Sequence, residues 1–311
     1  MIGLDQIRKV VGEELTQLEA ILADSLTSEH ELLGSTISKL INLKGKRMRP
    51  LLTLLIARLY GEVRREHLVG AAIMELTHNA SLVHDDILDE AYTRRSELTT
   101  MALLRSRGAV LAGDFLLTQA VSLGTSEHNY RAIDLSASTL RNLVEGELRQ
   151  MRHALLLDIT TEKYFEVIRL KTAYLMGSSA ALGAPIEDFD KIYRFGVLLG
   201  EAFQIADDVL DYVGDRSGKA RFNDLREGKI TLPLLMAIEQ GGEDRRVRGL
   251  VRRGEASKVA EFVFDNGGIE QSRAAVTERC DQALAILDGF DDSPVKDALR
   301  GYIEFLAQRE L

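Results

Sequence analysis

The sequence of 311 residues contains one cysteine, four prolines and no tryptophan. Its single thiol, Cys280, excludes an intramolecular disulfide and any metal site built from several cysteines. So few prolines disfavour a large all-β protein, which needs many tight turns. No apolar run approaches the roughly 18 residues of a membrane span. The charged first 14 residues contain no secretory apolar region. We therefore expect a cytoplasmic protein with no transmembrane segment.

The balance of charge is acidic, with 48 Asp and Glu residues against 39 Lys and Arg residues. General nucleic-acid binding requires a basic face, so we expect no nucleic-acid partner. A small anionic substrate held by a local group of cations is compatible with the net charge of −9. The hydrophobic fraction of 45% and the charged fraction of 28% are typical of a folded globular protein, which excludes disorder for the bulk of the chain.

Apolar residues recur at steps of three and four along most of the chain, a pattern that predicts amphipathic helices. The longest predicted helices cover residues 66–87, 109–123, 130–155, 161–182 and 189–212. The apolar spacing of residues 32–41 suggests a further helix, and residues 243–310 are predicted to form several shorter helices with breaks near Gly267 and Pro294. No segment shows the alternation expected of a strand, and no low-complexity linker interrupts the pattern. We predict an all-α fold in which residues 1–311 form a single domain, because so many apolar helices must bury one another in a multi-layer bundle.

Two segments, residues 85–89 and 207–211, share the pattern DDxxD, and each follows an apolar helical stretch. On a helix, the first and last aspartates lie on one face, where like charges repel. Carboxylates are hard ligands that suit Mg²⁺ shared with phosphate oxygens, and no nearby set of histidines and cysteines indicates zinc. One such motif alone could be a solvated acidic helix end, but two favour metal binding. The predicted metal ligands are Asp85, Asp86, Asp89, Asp207, Asp208 and Asp211.

A run of cations precedes the helix predicted to open at Pro50, and it comprises Lys44, Lys46, Arg47 and Arg49. Helix N-termini attract anions, and arginine binds phosphate through two parallel hydrogen bonds. Further cations occur at Arg94, Arg95, Lys171, Lys219 and Lys229. Each of these alone could be a solvated surface charge. Together with six aspartates they indicate a site for a Mg²⁺-bound polyanion, and a small diphosphate fits an acidic protein better than a nucleic acid does.

These segments resemble the trans-isoprenyl diphosphate synthases, most closely the bacterial polyprenyl branch. The motifs occur in the order of that family over most of residues 45–235. They are GKRMRP (45–50), ELTHNASLVHDDILDEAYTRR (75–95), LAGDFLL (111–117), EGELRQM (145–151), LKTAYLMGSSAALGA (170–184), FQIADDVLDYVGD (203–215) and NDLREGKITLPLL (223–235). The resemblance implies a single large helical bundle of the isoprenoid synthase type around a central cavity, and a homodimer.

The resemblance also implies a reaction. An allylic diphosphate, held by three Mg²⁺ ions on both aspartate motifs, loses diphosphate to give an allylic cation. The double bond of isopentenyl diphosphate attacks that cation, and a proton then leaves to the departing diphosphate. Each cycle adds one five-carbon unit with a trans double bond. Metal ions and cations in a dry cavity are well suited to stabilise the charge that builds on a leaving diphosphate.

Further roles follow from the resemblance, position by position. The residues matching the isopentenyl diphosphate subsite are Lys46, Arg49, His78 and Arg95. Those matching the allylic diphosphate side are Arg94, Lys171, Gln204 and Lys229. Thr172 matches a residue that helps to stabilise the cation, and Lys219 matches a loop that closes on the diphosphate. The expected catalytic group is Lys171, Thr172, Arg94 and Gln204.

Two segments depart from the family's pattern. Residues 96–99 read Ser-Glu-Leu-Thr where the family usually has Gly-x-Pro-Thr, and Phe222 stands where glycine is usual. Glycine adopts a positive φ readily, whereas phenylalanine does not. Every metal and phosphate position is intact, so we expect an active enzyme.

The length of the product is predicted from the helix that carries the first motif. A helix rises about 5.4 Å per turn, close to one extended isoprene unit, so it can act as a ruler. The expected tail-facing residues are Thr77, Ala80, Ser81 and, on the next helix, Val121. Because Ala80 and Ser81 are small, we predict a long product, hexaprenyl to decaprenyl, for quinone side chains. Alternatively, these small residues only allow close helix packing, and the product is farnesyl or geranylgeranyl diphosphate.

Three other classes compete with this interpretation. A class I terpene cyclase would not need the GKxxRP cations and usually carries a different second metal motif. An HD-type metal phosphohydrolase is suggested by His84 and Asp85 with His78 nearby, but it leaves residues 207–211 and Lys46 unexplained. A non-catalytic subunit of a heteromeric prenyltransferase typically lacks an aspartate motif, and this chain keeps both.

Overall fold

The structure is a computed structural model that describes residues 3–27, 46–94, 97–214 and 222–307. The described chain is almost wholly α-helical, which confirms the predicted fold class. The first helices are α1 (Leu4–Lys9), α2 (Gly12–Ser25), α3 (Met48–Leu59) and α4 (Arg65–Leu88). A further helix suggested by the apolar spacing of residues 32–41 lies outside the described residues.

A small hairpin follows α4. Its strands, β1 (Thr93–Arg94) and β2 (Glu97–Leu98), are antiparallel, with Thr93 opposite Leu98. No strand was predicted here, because two residues are too few for an alternating pattern to show. The segment that departs from the family's Gly-x-Pro-Thr therefore contributes the second strand and Thr99, which caps the next helix.

The middle of the chain holds the longest helices. They are α5 (Thr100–Ser126), α6 (Tyr130–Leu156), α7 (Thr161–Ile168), α8 (Tyr174–Leu182) and α9 (Phe189–Val213). The Thr99 hydroxyl accepts a hydrogen bond from the Ala102 N–H at 3.1 Å, so α5 begins nine residues earlier than its apolar pattern predicts. Inside it, Arg105 has a non-helical backbone, with φ at 59°, which marks a kink.

The helix predicted over residues 161–182 is interrupted by a π-helical turn, Arg169–Ala173, between α7 and α8. Two glycines make room for this turn. A Cβ atom at Gly200 would lie 2.4 Å from Cα of Ala173, and one at Gly146 would lie 2.9 Å from Cβ of Leu170. The turn carries Lys171 and Thr172, and π-turns inside helices are frequent at functional sites.

The last part of the chain forms shorter helices, as predicted. They are α10 (Asn223–Arg226), α11 (Leu232–Gly241), α12 (Asp244–Arg252), α13 (Ala256–Asp265), α14 (Gly268–Leu287) and α15 (Pro294–Ala307). The predicted breaks are confirmed. Gly267 precedes α14 with φ at 66°, and Pro294 is the first residue of α15, a position where its missing N–H costs no helical hydrogen bond.

Contacts between Cα atoms group the chain into two compact units. The first comprises residues 5–140 and 178–193, and in it α4 packs against α2, α3 and α5. The second comprises residues 141–177 and 194–311 together with residues 1–4, and in it α11 packs against α13 and α14. The boundaries fall inside helices, and the expectation of a single domain stays a prediction.

Each unit has its own apolar core. In the first, every residue of α3 from Pro50 to Ala57 is buried, so this short helix is covered on all sides. In the second, Tyr212 and Tyr302 are among the largest fully buried side chains. No helix in the described ranges combines the length and the apolarity that a bilayer crossing requires.

Candidate active site

The first aspartate motif lies at the C-terminal end of α4. Asp86 is buried, Asp85 is half-buried and Asp89 is exposed just beyond the last helical residue. The Asp89 N–H donates to the Asp85 carbonyl at 2.8 Å, which keeps the helical path through the motif. The spacing of the first and last aspartates on one face is therefore as predicted.

Two residues predicted for the isopentenyl diphosphate subsite are in direct contact. Nη1 of Arg49 donates to Nε2 of His78 at 2.9 Å. A guanidinium has no acceptor, so this ring nitrogen accepts and the imidazole proton of a neutral His78 is on Nδ1. Lys46, the third candidate, is exposed two residues before α3. His78 also lies two helical turns before Asp85, and the structure therefore brings part of the predicted subsite together on α3 and α4.

The second aspartate motif lies in the last turns of α9. Asp207 is exposed, whereas Asp208 is buried and both of its carboxylate oxygens accept hydrogen bonds. The Tyr164 hydroxyl donates to Oδ2 at 2.6 Å, and Nε2 of Gln204 donates to Oδ1 at 2.9 Å. The Thr172 hydroxyl in turn donates to Oε1 of Gln204 at 2.7 Å. Thr172, Gln204 and Asp208, all predicted site residues, thus form one hydrogen-bonded chain.

The third aspartate of this motif is held by backbone amides. The carboxylate of Asp211 accepts from the N–H groups of Asn223 at 3.0 Å and Asp224 at 3.2 Å. Phe222 precedes them with φ at 66°, a positive value that phenylalanine does not adopt readily. Its ring packs edge-on against Tyr212, and its N–H donates to the Asp211 carbonyl at 3.0 Å, so surrounding contacts stabilise the strained backbone.

A cavity of about 130 Å³ lies beside the second motif. Its polar lining includes Gln150, His153, Tyr164, Lys171, Thr172, Gln204, Asp208, Asp224, Lys229 and Thr231. Nζ of Lys171 donates to Gln150 at 2.6 Å and pairs with Glu147 at 2.5 Å. Lys229 pairs with Glu227 at 2.5 Å. Two lysines, three hydroxyls and two amides therefore line one small space together with two carboxylates, which suits an anion such as diphosphate that is bound with a metal cation.

The carboxyl groups around this cavity have raised pKa values. Burial, followed by the charge of Asp224, holds the pKa of Asp208 well above its ordinary value. Burial and the neighbouring charge of Asp211 raise the pKa of Asp224 to about 6. Burial also raises the pKa of Asp211. Ionised carboxylates are thus disfavoured here, and a divalent cation is the partner that would relieve their repulsion.

The donor set fits Mg²⁺ that is bound together with a substrate. Within the described ranges, no three histidine, cysteine or acidic side chains converge as a preformed metal site. Mg²⁺ retains several waters and is usually held by one or two carboxylates plus substrate phosphates, so it does not require a complete protein cage. The hard carboxylates at the end of α4, and those at the end of α9, each meet that requirement, whereas zinc would need nitrogen or sulfur ligands.

Other predicted residues are placed less completely. Arg95 and Lys219 lie outside the described residues, as does the side chain of Arg94, whose backbone is in β1. Two residues of the cavity lining were missed, Tyr164 and Asp224. Arg47 was grouped with the cations before α3, whereas the structure buries it against Glu19 and Glu75. Asp224 could have been found from the sequence, because it is an acidic residue five positions before Lys229 in the motif NDLREGKITLPLL (223–235). The partners of Tyr164 and Arg47 are distant in sequence, so no local pattern reveals them.

The predicted chain-length residues divide into two groups. Thr77, Ala80 and Ser81 are buried on α4, and the hydroxyls of Thr77 and Ser136 are 2.7 Å apart. Val121 on α5 is 53% exposed, so the described chain does not bring it into this buried group. Three of the four side chains are therefore buried together on one helix, and their role in setting the product length stays a prediction.

An all-α fold with aspartate motifs at helix ends and cations beside a small cavity is typical of enzymes that act on diphosphates. The chain belongs to the polyprenyl synthetase family, whose model matches residues 30–265. It is 32% identical to the octaprenyl diphosphate synthase of Escherichia coli over 322 residues, which cover 99% of this chain and 100% of that relative. These findings confirm the resemblance drawn from the motifs.

Two solved structures extend this likeness. A decaprenyl diphosphate synthase from Rhodobacter capsulatus matches with a TM-score of 0.92 and 31% identity, covering 99% of each chain. A polyprenyl synthase from Caulobacter crescentus, complexed with calcium and isoprenyl diphosphate, matches with a TM-score of 0.91 and 29% identity, covering 99% of this chain and 98% of the other.

The raised pKa values predict how metal binding depends on pH. A carboxyl group with a raised pKa is protonated at low pH and must ionise to bind a cation, so acid opposes metal binding. We expect Mg²⁺ with inorganic diphosphate to raise the melting temperature more at about pH 7.5 than at about pH 5.5, because Asp224 titrates at about 6. Differential scanning fluorimetry at both pH values measures this.

The control for this experiment is Asp224→Asn, which removes the group that titrates near pH 6 while diphosphate ionises as before. The variant should show a smaller difference between the two pH values. Without metal, its melting temperature relative to wild type should improve as the pH rises, because the wild type then loses the stabilising proton on Asp224. An equal pH dependence in both proteins would contradict the assignment of Asp224.

Proposed function

We propose that the protein is a Mg²⁺-dependent trans-prenyltransferase that condenses isopentenyl diphosphate with an allylic diphosphate, head to tail. The observation that carries this proposal is the cavity beside the second motif, where Lys171, Thr172, Gln204, Asp208 and Lys229 surround one space. Membership of the polyprenyl synthetase family supports the reaction class. An HD-type phosphohydrolase explains neither the second motif nor its cation-lined cavity.

The proposed reaction begins with the allylic diphosphate. Mg²⁺ bound with this diphosphate, which we expect to involve three ions, would neutralise the charge that develops on it as the carbon–oxygen bond breaks. The aspartates would hold these ions, directly or through water. Lys171 and Lys229 would bind the diphosphate oxygens, for which they would exchange their present carboxylate partners. The Thr172 and Gln204 oxygens would lie near the allylic cation, oriented by their shared hydrogen bond.

The second substrate would be bound through the residues on α3 and α4. Lys46, Arg49, His78 and Arg95 would hold the diphosphate of isopentenyl diphosphate. Arg94 would bind the allylic diphosphate. The new carbon–carbon bond would form as the double bond attacks the allylic carbon. A proton then leaves the adjacent carbon for the departing diphosphate, which balances the charge. Preorganised cations act most strongly where water is excluded.

We propose a long-chain product, hexaprenyl to decaprenyl, that serves as a quinone side-chain precursor. The small buried side chains Ala80 and Ser81 support this length because neither has the bulk that would stop a growing tail beside the ruler helix α4. The relatives named for octaprenyl and decaprenyl products support it as well. The alternative product is farnesyl or geranylgeranyl diphosphate. A cytoplasmic location suits the charged, water-soluble substrates.

We propose that the enzyme is a homodimer. A stripe of apolar residues runs along α6, and all of its members are more than half exposed: Val144, Leu148, Met151 and Leu155. Their spacing of three and four residues places them on one helical face, and contiguous exposed apolar patches mark interaction sites.

Sedimentation equilibrium should give about twice the 34.6 kDa chain mass, and Leu148→Glu should lower it towards one chain. A single-chain mass for the wild type would contradict the dimer.

The function is tested by incubating the purified protein with Mg²⁺, isopentenyl diphosphate and farnesyl diphosphate, then sizing the dephosphorylated products by mass spectrometry. We expect a ladder that ends at hexaprenyl or longer, is lost with EDTA and returns with Mg²⁺. A cyclic hydrocarbon, free phosphate alone or no product with any allylic starter would each contradict the proposal. Arrest at geranylgeranyl would leave the reaction in place and contradict the long chain.

The ruler is tested with Ala80→Phe. A phenyl ring in place of a fully buried methyl group would block the space beside α4, so the dominant product should become shorter by one or more isoprene units. Ala80→Ser is the matched control, because it keeps the side chain small, and its products should equal those of the wild type. Thermal melts establish that both variants are folded. Unchanged product length in folded Ala80→Phe would contradict the ruler.

A further inference from the structure

The run of cations before α3 does not behave as one group. Lys46 is exposed, whereas its neighbour Arg47 is only 9% exposed. Nε of Arg47 donates to Oε1 of Glu19 at 2.8 Å, Nη2 donates to Oε2 of Glu19 at 3.2 Å, and Nη1 donates to Oε1 of Glu75 at 2.9 Å. The guanidinium is thus shared between two carboxylates, and the fork geometry towards Glu19 is the one that arginine forms best.

These contacts join the loop to two helices at once. Glu19 lies on α2, and Glu75 lies on α4 one helical turn before His78. His78 accepts from Arg49, which lies two residues after Arg47. The ion-pair cluster of Arg47, Glu19 and Glu75 therefore sits directly beside the residues proposed to bind isopentenyl diphosphate, but its guanidinium is already engaged by two carboxylates of the protein.

The backbone of the same loop is held in an unusual shape. Arg47 has φ at 46° and ψ at 38°, a left-handed conformation that few residues other than glycine adopt. Such a conformation persists only where surrounding contacts enforce it. A second contact is available: Nη2 of Arg8, on α1, donates to the Lys46 carbonyl at 2.7 Å. The first two helices thus hold both the carbonyl of Lys46 and the side chain of Arg47.

We propose that Arg47 is a positioning residue for the isopentenyl diphosphate subsite, and that α1 and α2 hold the subsite in shape through it. This inference rests on the proposed function. Arg47 does not bind the diphosphate. It fixes the left-handed entry to α3, from which Lys46 and Arg49 extend on long, flexible side chains. Because the loop is already ordered, binding does not lose the conformational entropy that ordering a flexible loop would cost.

A direct role for Arg47 on phosphate conflicts with its burial. To reach a substrate, the guanidinium would have to leave Glu75, which is only 5% exposed, and would leave that carboxylate charged and buried without its partner. Breaking a buried pair in this way is strongly unfavourable. Lys46, which is exposed at the same loop, can bind an anion without that cost.

The test is Arg47→Met, which keeps an unbranched apolar side chain similar to the aliphatic stem of arginine and removes its charge and hydrogen bonds. We expect the KM for isopentenyl diphosphate to rise about tenfold or more, since small displacements of binding groups are costly, while the KM for the allylic diphosphate changes less than about twofold. Arg47→Lys should recover part of the loss because it retains the charge. Glu19→Gln, at the more exposed end of the cluster, should give a smaller rise and serves if Arg47→Met does not fold.

Arg58→Met is the matched control. Arg58 forms an ion pair with Glu14, which also joins α3 to α2, but at the last turn of α3. Both variants should lower the melting temperature, because each removes an ion pair to α2. Only the Arg47 variant should change the KM for isopentenyl diphosphate. An equal change in the Arg58 variant, or no change in any folded variant of the cluster, would overturn the inference.

The same experiment separates this inference from the proposed function. A wild-type protein that elongates farnesyl diphosphate supports the function whatever the variants do. If the wild type does not elongate any starter, the function fails, and calorimetric binding of isopentenyl diphosphate to the wild type and the two methionine variants then decides the inference. Weaker binding in Arg47→Met alone supports a positioning role, whereas equal binding in all three proteins overturns it.

Discussion

The mutual repulsion of carboxylates at the end of α9 is the constraint on which the second unit's site depends. Asp208 and Asp211 are held close together, and Asp224 is brought towards them, although burial disfavours their charged forms. The protein answers with hydrogen-bond donors: a phenol, an amide and two backbone N–H groups. These donors fix the carboxylates in place and favour their ionised forms, whereas burial opposes ionisation, so a bound cation would complete the balance.

The candidate cations beside the cavity are likewise held by neighbouring groups of opposite charge. Lys171 is paired with Glu147 and Lys229 with Glu227, and in each case a carboxylate holds the ammonium beside the cavity. A paired lysine is already positioned, and a diphosphate carries more charge than the carboxylate that it would displace. Exchange of one anion for another therefore needs no large rearrangement of the lysine itself, which is an electrostatic form of preorganisation.

Much of the fold could be predicted because apolar periodicity reports burial directly. The extents of α4, α6 and α9 agree with prediction to within a residue or two, since their apolar faces run nearly to their ends. The start of α5 could not be predicted, because it depends on capping by the Thr99 hydroxyl rather than on apolar residues. The aspartates were found because their spacing is local. Their partner Tyr164 was not, because it lies 44 residues from Asp208. For Arg47 the local sequence is misleading. Its neighbours suggest a phosphate ligand, and only the fold reveals its two carboxylate partners.

The π-turn at Arg169–Ala173 has a consequence for how this segment can vary. A π-turn holds one more residue than the α-helical turn that it replaces, and each residue of an α-helix turns the chain by about 100°. Removing one residue would restore a regular helix, but it would also rotate everything that follows relative to everything that precedes. Lys171 and Thr172 would then leave the cavity-facing side even though both were still present. The length of this segment is therefore restricted as well as the identity of its residues, and insertions or deletions here should be tolerated poorly.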